Sequence, residues 1–167
     1  MASTINDHDL IALLNENARS SLEDIASSLN ATVKAVAKRM DELEESGKIL
    51  KYIPVLNPTI DESLNSTTRA FVELSVSPQK SSGYDSIAKR IYQYSQVVEH
   101  YLLSGQYDFL VIVEGDSYQE VASFVFEKLA TIEHVKTTNT HFIFKQYKGS
   151  GVVFDKGDTL SRLPVFA

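Results

Sequence analysis

The spacing of apolar residues changes along the chain from a helical period to an alternating one. As far as residue 47, apolar side chains recur three and four positions apart, which is the period of helices with one buried face. Beyond residue 68, several segments alternate apolar and polar residues, as strands do. The residues between these parts are polar and rich in turn formers. The pattern predicts a helical domain over residues 1–56, a linker over residues 57–68 and a mixed domain over residues 69–148.

The helical domain is predicted to contain three helices, with a tight turn before the third. Asn6, Ser20 and Thr32 are placed to cap the three N-termini, because short polar side chains accept hydrogen bonds from the first free backbone N–H groups. Asn30 suits the turn since it tolerates left-handed geometry, and Gly47 ends the third helix. The apolar face of this helix is predicted to comprise Val33, Val36, Ala37, Met40 and Leu43.

A short strand is predicted over residues 48–56, so that residues 20–52 have the layout of a winged helix-turn-helix that binds double-stranded DNA. In such a unit the N-terminal half of the recognition helix contacts base edges. On the helical wheel Lys34, Ala35 and Lys38 lie opposite the apolar face, whereas acidic residues collect in the second half of the helix. The predicted DNA-binding residues are Thr32, Lys34, Ala35, Lys38, Arg39, Lys48 and Lys51.

The overall charge does not by itself favour DNA. The chain carries 16 Lys and Arg residues against 22 Asp and Glu residues, whereas a domain that binds DNA mainly through charge is expected to be basic. We therefore expect weak non-specific binding by each subunit, so that tight binding requires two or more subunits on adjacent half-sites.

The composition and the ends of the chain indicate where the protein resides. The absence of cysteine excludes disulfides and thiolate chemistry. The N-terminus lacks the pattern of a signal peptide, and the longest apolar run, residues 109–113, is too short to span a bilayer. We expect a cytoplasmic protein without a membrane partner.

The mixed domain is predicted to have the element order β-α-β-β-α-β. The predicted strands are residues 69–77, 97–103, 109–113 and 135–147, and the predicted helices are residues 84–94 and 118–129. This order is typical of the ferredoxin-like sandwich, an antiparallel sheet with both helices on one face, and gives the chain an α+β fold class. The uncovered face carries large side chains and predicts a homodimer. Residues 149–167 are predicted to be a tail, which either packs on a neighbour or frays.

The chain resembles the Lrp/AsnC family of transcriptional regulators over nearly its whole length. In the first domain the matching residues are Asn6-Asp7-His8-Asp9, Leu14, Asn17-Ala18-Arg19, Thr32, Val36, Arg39, Leu43-Glu44, Gly47-Lys48-Ile49, Tyr52 and Leu56-Asn57-Pro58. In the second domain they are Ala70-Phe71-Val72, Gly105-Gln106-Tyr107-Asp108, Leu110, Val135, Thr138, Thr140 and Lys148. The resemblance implies a regulator that dimerises through its sheets and often forms octamers.

The resemblance also implies a small-molecule effector, typically an amino acid, bound by the second domain at the subunit interface. It indicates the turn between the second and third strands, Gly105, Gln106, Tyr107 and Asp108, with Thr138 and Thr140 from the last strand. A glycine lets backbone amides approach a carboxylate, and an aspartate accepts hydrogen bonds from an ammonium group. Glycine and aspartate are also common in hairpin turns for conformational reasons, so a purely structural turn is the alternative.

Other functions are weaker predictions. Siroheme decarboxylases share the family architecture, and His100-Tyr101 falls on a predicted strand, but no arginine lies between them and Gly105. An oligomer whose first domain makes only protein contacts is a third class. The four histidines, His8, His100, His134 and His141, lack metal-ligand spacing, so neither a metal nor a cofactor is predicted.

Overall fold

The computed structural model describes residues 5–57, 67–77 and 83–154 and divides the chain into two compact units, Met1–Pro54 and Val55–Ala167. Most of the predicted linker and the end of the predicted tail, residues 155–167, lie outside the described residues. No helix within the described ranges is long and apolar enough to cross a membrane.

Three helices form the first unit, as predicted. They are α1 (Asp7–Glu16), α2 (Leu22–Ser28) and α3 (Val33–Glu45). Their shared core consists of Leu10, Leu14, Ile25, Ala26, Val36 and Leu43. The core is built from residues three and four positions apart, because this spacing places side chains on one helix face.

Local polar groups fix the ends of these helices. The side chain of Asn6 accepts the N–H of His8, and the hydroxyl of Thr32 accepts the N–H of Ala35 at 3.2 Å, which confirms two predicted caps. The left-handed φ of Asn30, 49°, confirms the turn before α3. Gly47 has a φ of 70° and ends α3 as predicted.

The cap of α2 was predicted one residue too early. Ser21 rather than Ser20 precedes the first helical residue, and its hydroxyl accepts the N–H of Asp24 at 3.1 Å. The N–H of Ser20 instead donates to the carbonyl of Asn17, in the turn that leaves α1. Two consecutive serines look alike in the sequence, and this turn decides which one reaches the helix.

The predicted strand over residues 48–56 is not formed. These residues have no regular secondary structure, and Leu50 and Ile53 are exposed. A strand requires a hydrogen-bonded neighbour, which the described residues do not provide, and Pro54 has no N–H to donate to one. The segment is tied to α3 by the Tyr52 hydroxyl, which donates to Glu44 Oε1 at 2.9 Å.

The second unit contains the predicted antiparallel sheet with both helices on one face. The strands are β1 (Thr68–Val76), β2 (Val97–Leu102), β3 (Phe109–Gly115) and β4 (Val135–Phe142), in the order β2-β3-β1-β4. The helices are α4 (Asp85–Ile91) and α5 (Tyr118–Phe124), and α5 continues as a π turn over Val125–Leu129. This arrangement confirms the α+β, ferredoxin-like class. Inward residues of β1 and β3 pack on both helices in one core.

The last long strand ends five residues earlier than predicted, at Phe142. A small hairpin follows, formed by β5 (Lys148–Gly149) and β6 (Val152–Val153). Ser150 and Gly151 both have positive φ, as the tight turns that suit twisted hairpins require. Gly149 permits close packing, because a Cβ at this position would lie 2.8 Å from Cζ of the buried Phe154. The start of the predicted tail is therefore folded.

The face of the sheet opposite the helices is open. The Phe71 side chain is 40% exposed there, beside Ile112, and Tyr101 on β2 is 47% exposed. Charged pairs border these apolar side chains. Arg69 Nε lies 2.8 Å from Glu114 Oε1, and His141 Nε2 lies 3.2 Å from Glu73 Oε2.

Candidate functional site

The exposed surface of α3 carries the basic side chains that the sequence assigned to DNA. Lys34 and Lys38 are both exposed and lie one turn apart on the same side of the helix. Lys38 Nζ is 3.6 Å from Glu42 Oε1, but the Lys38 side chain remains 79% exposed. Ala35 is half-buried, and Thr32 caps the helix with its hydroxyl.

Two of the predicted DNA-binding residues are held by an acidic side chain of α1. Arg39 Nε donates to Asp7 Oδ1 at 2.7 Å, and Lys48 Nζ donates to Asp7 Oδ2 at 2.9 Å. Arg39 NH1 also lies 2.5 Å from Glu42 Oε2. Arg39 thus connects α3 to α1, a role that its sequence position did not reveal because Asp7 is 32 residues away.

These contacts shift the pKa values of the network. Hydrogen bonds from Lys48 and then Arg39 lower the pKa of Asp7, and the hydrogen bond from Arg39 lowers the pKa of Glu42. Both carboxyl groups are therefore held in the charged form, and each neutralises basic charge next to α3. Among the predicted cations, Lys34 and Lys51 make no ion pair with the described residues.

The turn assigned to the effector connects β2 to β3, and its aspartate has a structural role. Asp108 Oδ2 accepts the N–H of Val76 at 2.8 Å, and Asp108 Oδ1 accepts the hydroxyl of Tyr84 at 3.0 Å. The latter bond raises the pKa of Tyr84. Asp108 therefore joins the turn to the end of β1 and to the start of α4. Gln106 in the same turn is exposed, and Tyr107 is half-buried.

The described residues of one chain do not bring this turn together with the threonines of β4. Thr138 pairs with Leu74 on one side of β1, whereas the N–H of Asp108 donates to the Leu74 carbonyl from the other side. Two strand spacings, about 10 Å, therefore separate the two groups. Thr140 lies further along β4, opposite Val72.

His100, the residue behind the enzyme alternative, lies in a packed environment. Its ring contacts the ring of Phe109 edge to face, with the ring centres 4.7 Å apart. Burial lowers the pKa of His100, and its Nε2 has no hydrogen-bond partner among the described residues. In the same ranges no three His, Asp or Glu side chains are grouped as a metal site would require.

Comparison with known proteins identifies both parts of the chain. The family model described as the Lrp/AsnC ligand binding domain matches residues 69–153, and the model of a winged helix-turn-helix DNA-binding domain matches residues 4–49. The chain is 36% identical to the uncharacterised HTH-type transcriptional regulator YugG of Bacillus subtilis, over 99% of each chain. The chain belongs to the Lrp/AsnC family. It is a transcriptional regulator with an N-terminal DNA-binding helix-turn-helix and a C-terminal ligand-binding domain.

Other relatives agree with this assignment. The regulator FL11 of Pyrococcus furiosus is 28% identical to the chain, over 85% of the chain and 89% of FL11. Solved structures share the fold as well. A regulator of Neisseria meningitidis in complex with L-methionine has a TM-score of 0.69 at 21% identity, with 93% of this chain and 97% of that chain covered. E. coli AsnC has a TM-score of 0.65 at 19% identity, with coverages of 84% and 91%.

The ion pairs of Asp7 predict a stability that depends on pH. Asp7→Asn should lower the urea midpoint of unfolding at neutral pH, because Arg39 and Lys48 lose their shared partner. The pKa of folded Asp7 lies below its unfolded value, so its contribution is present above the unfolded value, about 4, and is lost as the pH falls through the folded value. The difference between Asp7→Asn and wild type should therefore disappear in acid, as measured by circular dichroism.

Asp9→Asn is the matched control for this prediction. Asp9 lies in the same first turn of α1, and the substitution changes the charge equally, but the ion-pair partner of Asp9 is the adjacent His8 rather than a residue of α3. Equal effects of the two variants at neutral pH would contradict a specific role for the Asp7 contacts.

Proposed function

We propose that this regulator binds specific DNA through the exposed side of α3, acts in the cytoplasm as a homodimer or larger assembly, and responds to an amino acid. The exposure of Lys34 and Lys38 at the N-terminal half of α3 supports the DNA contact most directly. The acidic residues Asp41, Glu44 and Glu45 follow in the second half of the helix, which points away from DNA in a helix-turn-helix complex.

The basic groups available to DNA are few in each subunit. Asp7 binds Arg39 and Lys48, so that Lys34, Lys38 and Lys51 provide most of the accessible positive charge near α3. Each lysine that neutralises a phosphate releases counterions and adds about one to the salt dependence of binding. A single subunit therefore binds DNA weakly, and tight binding requires two subunits on adjacent half-sites.

Lys34→Ala combined with Lys38→Ala should weaken DNA binding by roughly tenfold or more and reduce the slope of log affinity against log salt by about 2 per subunit. Fluorescence anisotropy with genomic DNA fragments selected by the wild type would measure both quantities. The control variant, Lys89→Ala with Lys128→Ala, removes two exposed lysines from the second unit and should bind normally. If affinity survives the α3 substitutions, the DNA contact lies elsewhere on the protein.

A second copy of the chain is the proposed cover of the open sheet face. Phe71 on the inner strand β1 and Tyr101 on the edge strand β2 expose aromatic surface there, and the neighbouring side chains carry charges of both signs, which a copy related by twofold symmetry complements. An isologous contact of this kind buries the exposed aromatic surface and sets the charges of one copy against opposite charges of the other.

Phe71→Glu should convert the assembly to monomers at micromolar concentration, because an unpaired carboxylate would be buried at the centre of the interface. Sedimentation velocity would measure the change. Phe126→Glu adds the same charge to the helix layer, where Phe126 is 78% exposed, and should leave the dimer intact. A monomeric wild type would contradict the proposed dimer. If Phe126→Glu is monomeric and Phe71→Glu remains a dimer, the interface lies on the helix layer instead.

The turn Gly105–Asp108 is the proposed effector site, completed by Thr138 and Thr140. The ligand-binding family match spans all these residues, and two structures with this fold were solved with L-methionine, the Neisseria regulator and a feast or famine regulatory protein of Mycobacterium tuberculosis. Because about 10 Å separates the turn from Thr138 within one chain, we propose that the two groups come from different subunits around the ligand.

Gln106→Ala should weaken effector binding by roughly tenfold, the effect of one hydrogen bond to a charged group. Titration calorimetry with L-methionine and the other common amino acids would measure it. Gln106 is a sharper probe than Asp108, whose removal would also free the turn from Val76 and Tyr84. Gln119→Ala, on the exposed side of α5, is the control. Unchanged binding by Gln106→Ala would exclude its side chain from the site, and a wild type that binds no amino acid would exclude this effector class.

A further inference from the structure

Val33, the first residue of α3, is exposed although its spacing predicted a core position. Its side chain is 38% exposed, whereas Val36 and Leu43 are almost fully buried. Successive residues turn by about 100°, which places Val33 about 60° from Val36 around the helix axis. Val33 is absent from the hydrophobic cluster of the first unit. The prediction that it belongs to the core face is therefore wrong.

The neighbours of Val33 are the proposed DNA-binding residues. Ala37 lies one turn beyond Val33, and Lys34 and Lys38 form the adjacent row on the helix. A single exposed valine on a protein surface needs no explanation. Here it occupies the first turn of the proposed recognition helix, where side chains contact base edges, and it lies beside the row formed by Lys34 and Lys38, two cations that attract phosphates.

We propose that Val33 determines sequence specificity by packing against the C5-methyl group of a thymine in the major groove. Thymine is the base that presents a methyl group there, and apolar side chains are its usual partners. The two γ-methyl groups restrict χ1 of a valine, and the Thr32 cap fixes the turn that carries Val33. The methyl groups are therefore oriented before DNA binds. This inference rests on the proposed function, in which α3 contacts DNA.

The test begins with selection of binding sites from a library of randomised DNA duplexes by wild-type protein and by Val33→Ala. Each thymine of the wild-type site is then replaced by uracil, which removes only the methyl group. We expect one uracil position in each half-site to weaken wild-type binding by about three- to tenfold, the effect of one or two buried methyl groups. Val33→Ala should tolerate uracil at that position without loss and should no longer select thymine there.

Two further variants test whether the change in DNA binding comes from the lost methyl contact and not from altered folding. Val33→Thr keeps the branched shape and replaces one methyl group by a hydroxyl. The loss of affinity on replacing thymine by uracil should therefore be smaller than for the wild type, and the protein should still fold. Val98→Ala truncates an exposed valine of the second unit and should show the same loss of affinity as the wild type.

The outcomes separate this inference from the proposed function. If Val33→Ala selects the same sites as the wild type and loses the same affinity when uracil replaces thymine, Val33 does not contact thymine, although α3 still binds DNA. If the wild type enriches no duplex, the proposed DNA contact fails and this inference fails with it.

Discussion

The ion pairs between Asp7 of α1 and the cations Arg39 and Lys48 constrain the surface through which the first unit is proposed to bind DNA. They join the first helix to the recognition helix and to the residue that follows its end. They also engage two of the basic groups that the sequence offers for phosphate binding. In a chain with a net charge of −6, this leaves α3 with little accessible positive charge. In the proposed function, the same contact that joins α3 to α1 thus limits the affinity of α3 for DNA.

Features that depend on neighbouring residues could be predicted from the sequence. The caps at Asn6 and Thr32, the left-handed Asn30 and the order of helices and strands along the second unit are determined by local hydrogen bonds, backbone geometry and alternation. Contacts between distant residues could not be predicted. The contact of Arg39 with Asp7 is not evident from the sequence because Asp7 lies on another helix, and the strand at residues 48–56 was expected although the described residues offer it no pairing partner. The exposure of Val33 could not be predicted because its position lies only about 60° around the helix axis from the buried Val36, and the sequence does not show where the core ends.

The ligand-binding unit shows the same division between local and distant contacts. The glycine and aspartate of the turn at residues 105–108 were compatible with a binding site and with a structural turn. The bonds that Asp108 accepts from Val76 and Tyr84 give it a structural role in this turn. In the proposed effector site, Gln106 and the backbone of the turn are the groups that the fold leaves available for recognition. The proposed contribution of a second subunit follows from the distance between this turn and β4. A site shared by two subunits would couple effector binding to assembly.

An acidic regulator with few available cations must obtain its specificity from contacts other than phosphate neutralisation. Apolar contacts in the major groove meet this requirement, because they distinguish thymine from the other bases and do not depend on net charge. They also remain effective at salt concentrations that screen lysine–phosphate attraction. If Val33 makes such a contact, each subunit adds selectivity without adding much non-specific affinity. In an assembly, the thymine contacts of the subunits add to the free-energy difference between specific and non-specific DNA. A protein with a weak electrostatic attraction for DNA can thereby still distinguish its sites from the rest of the genome.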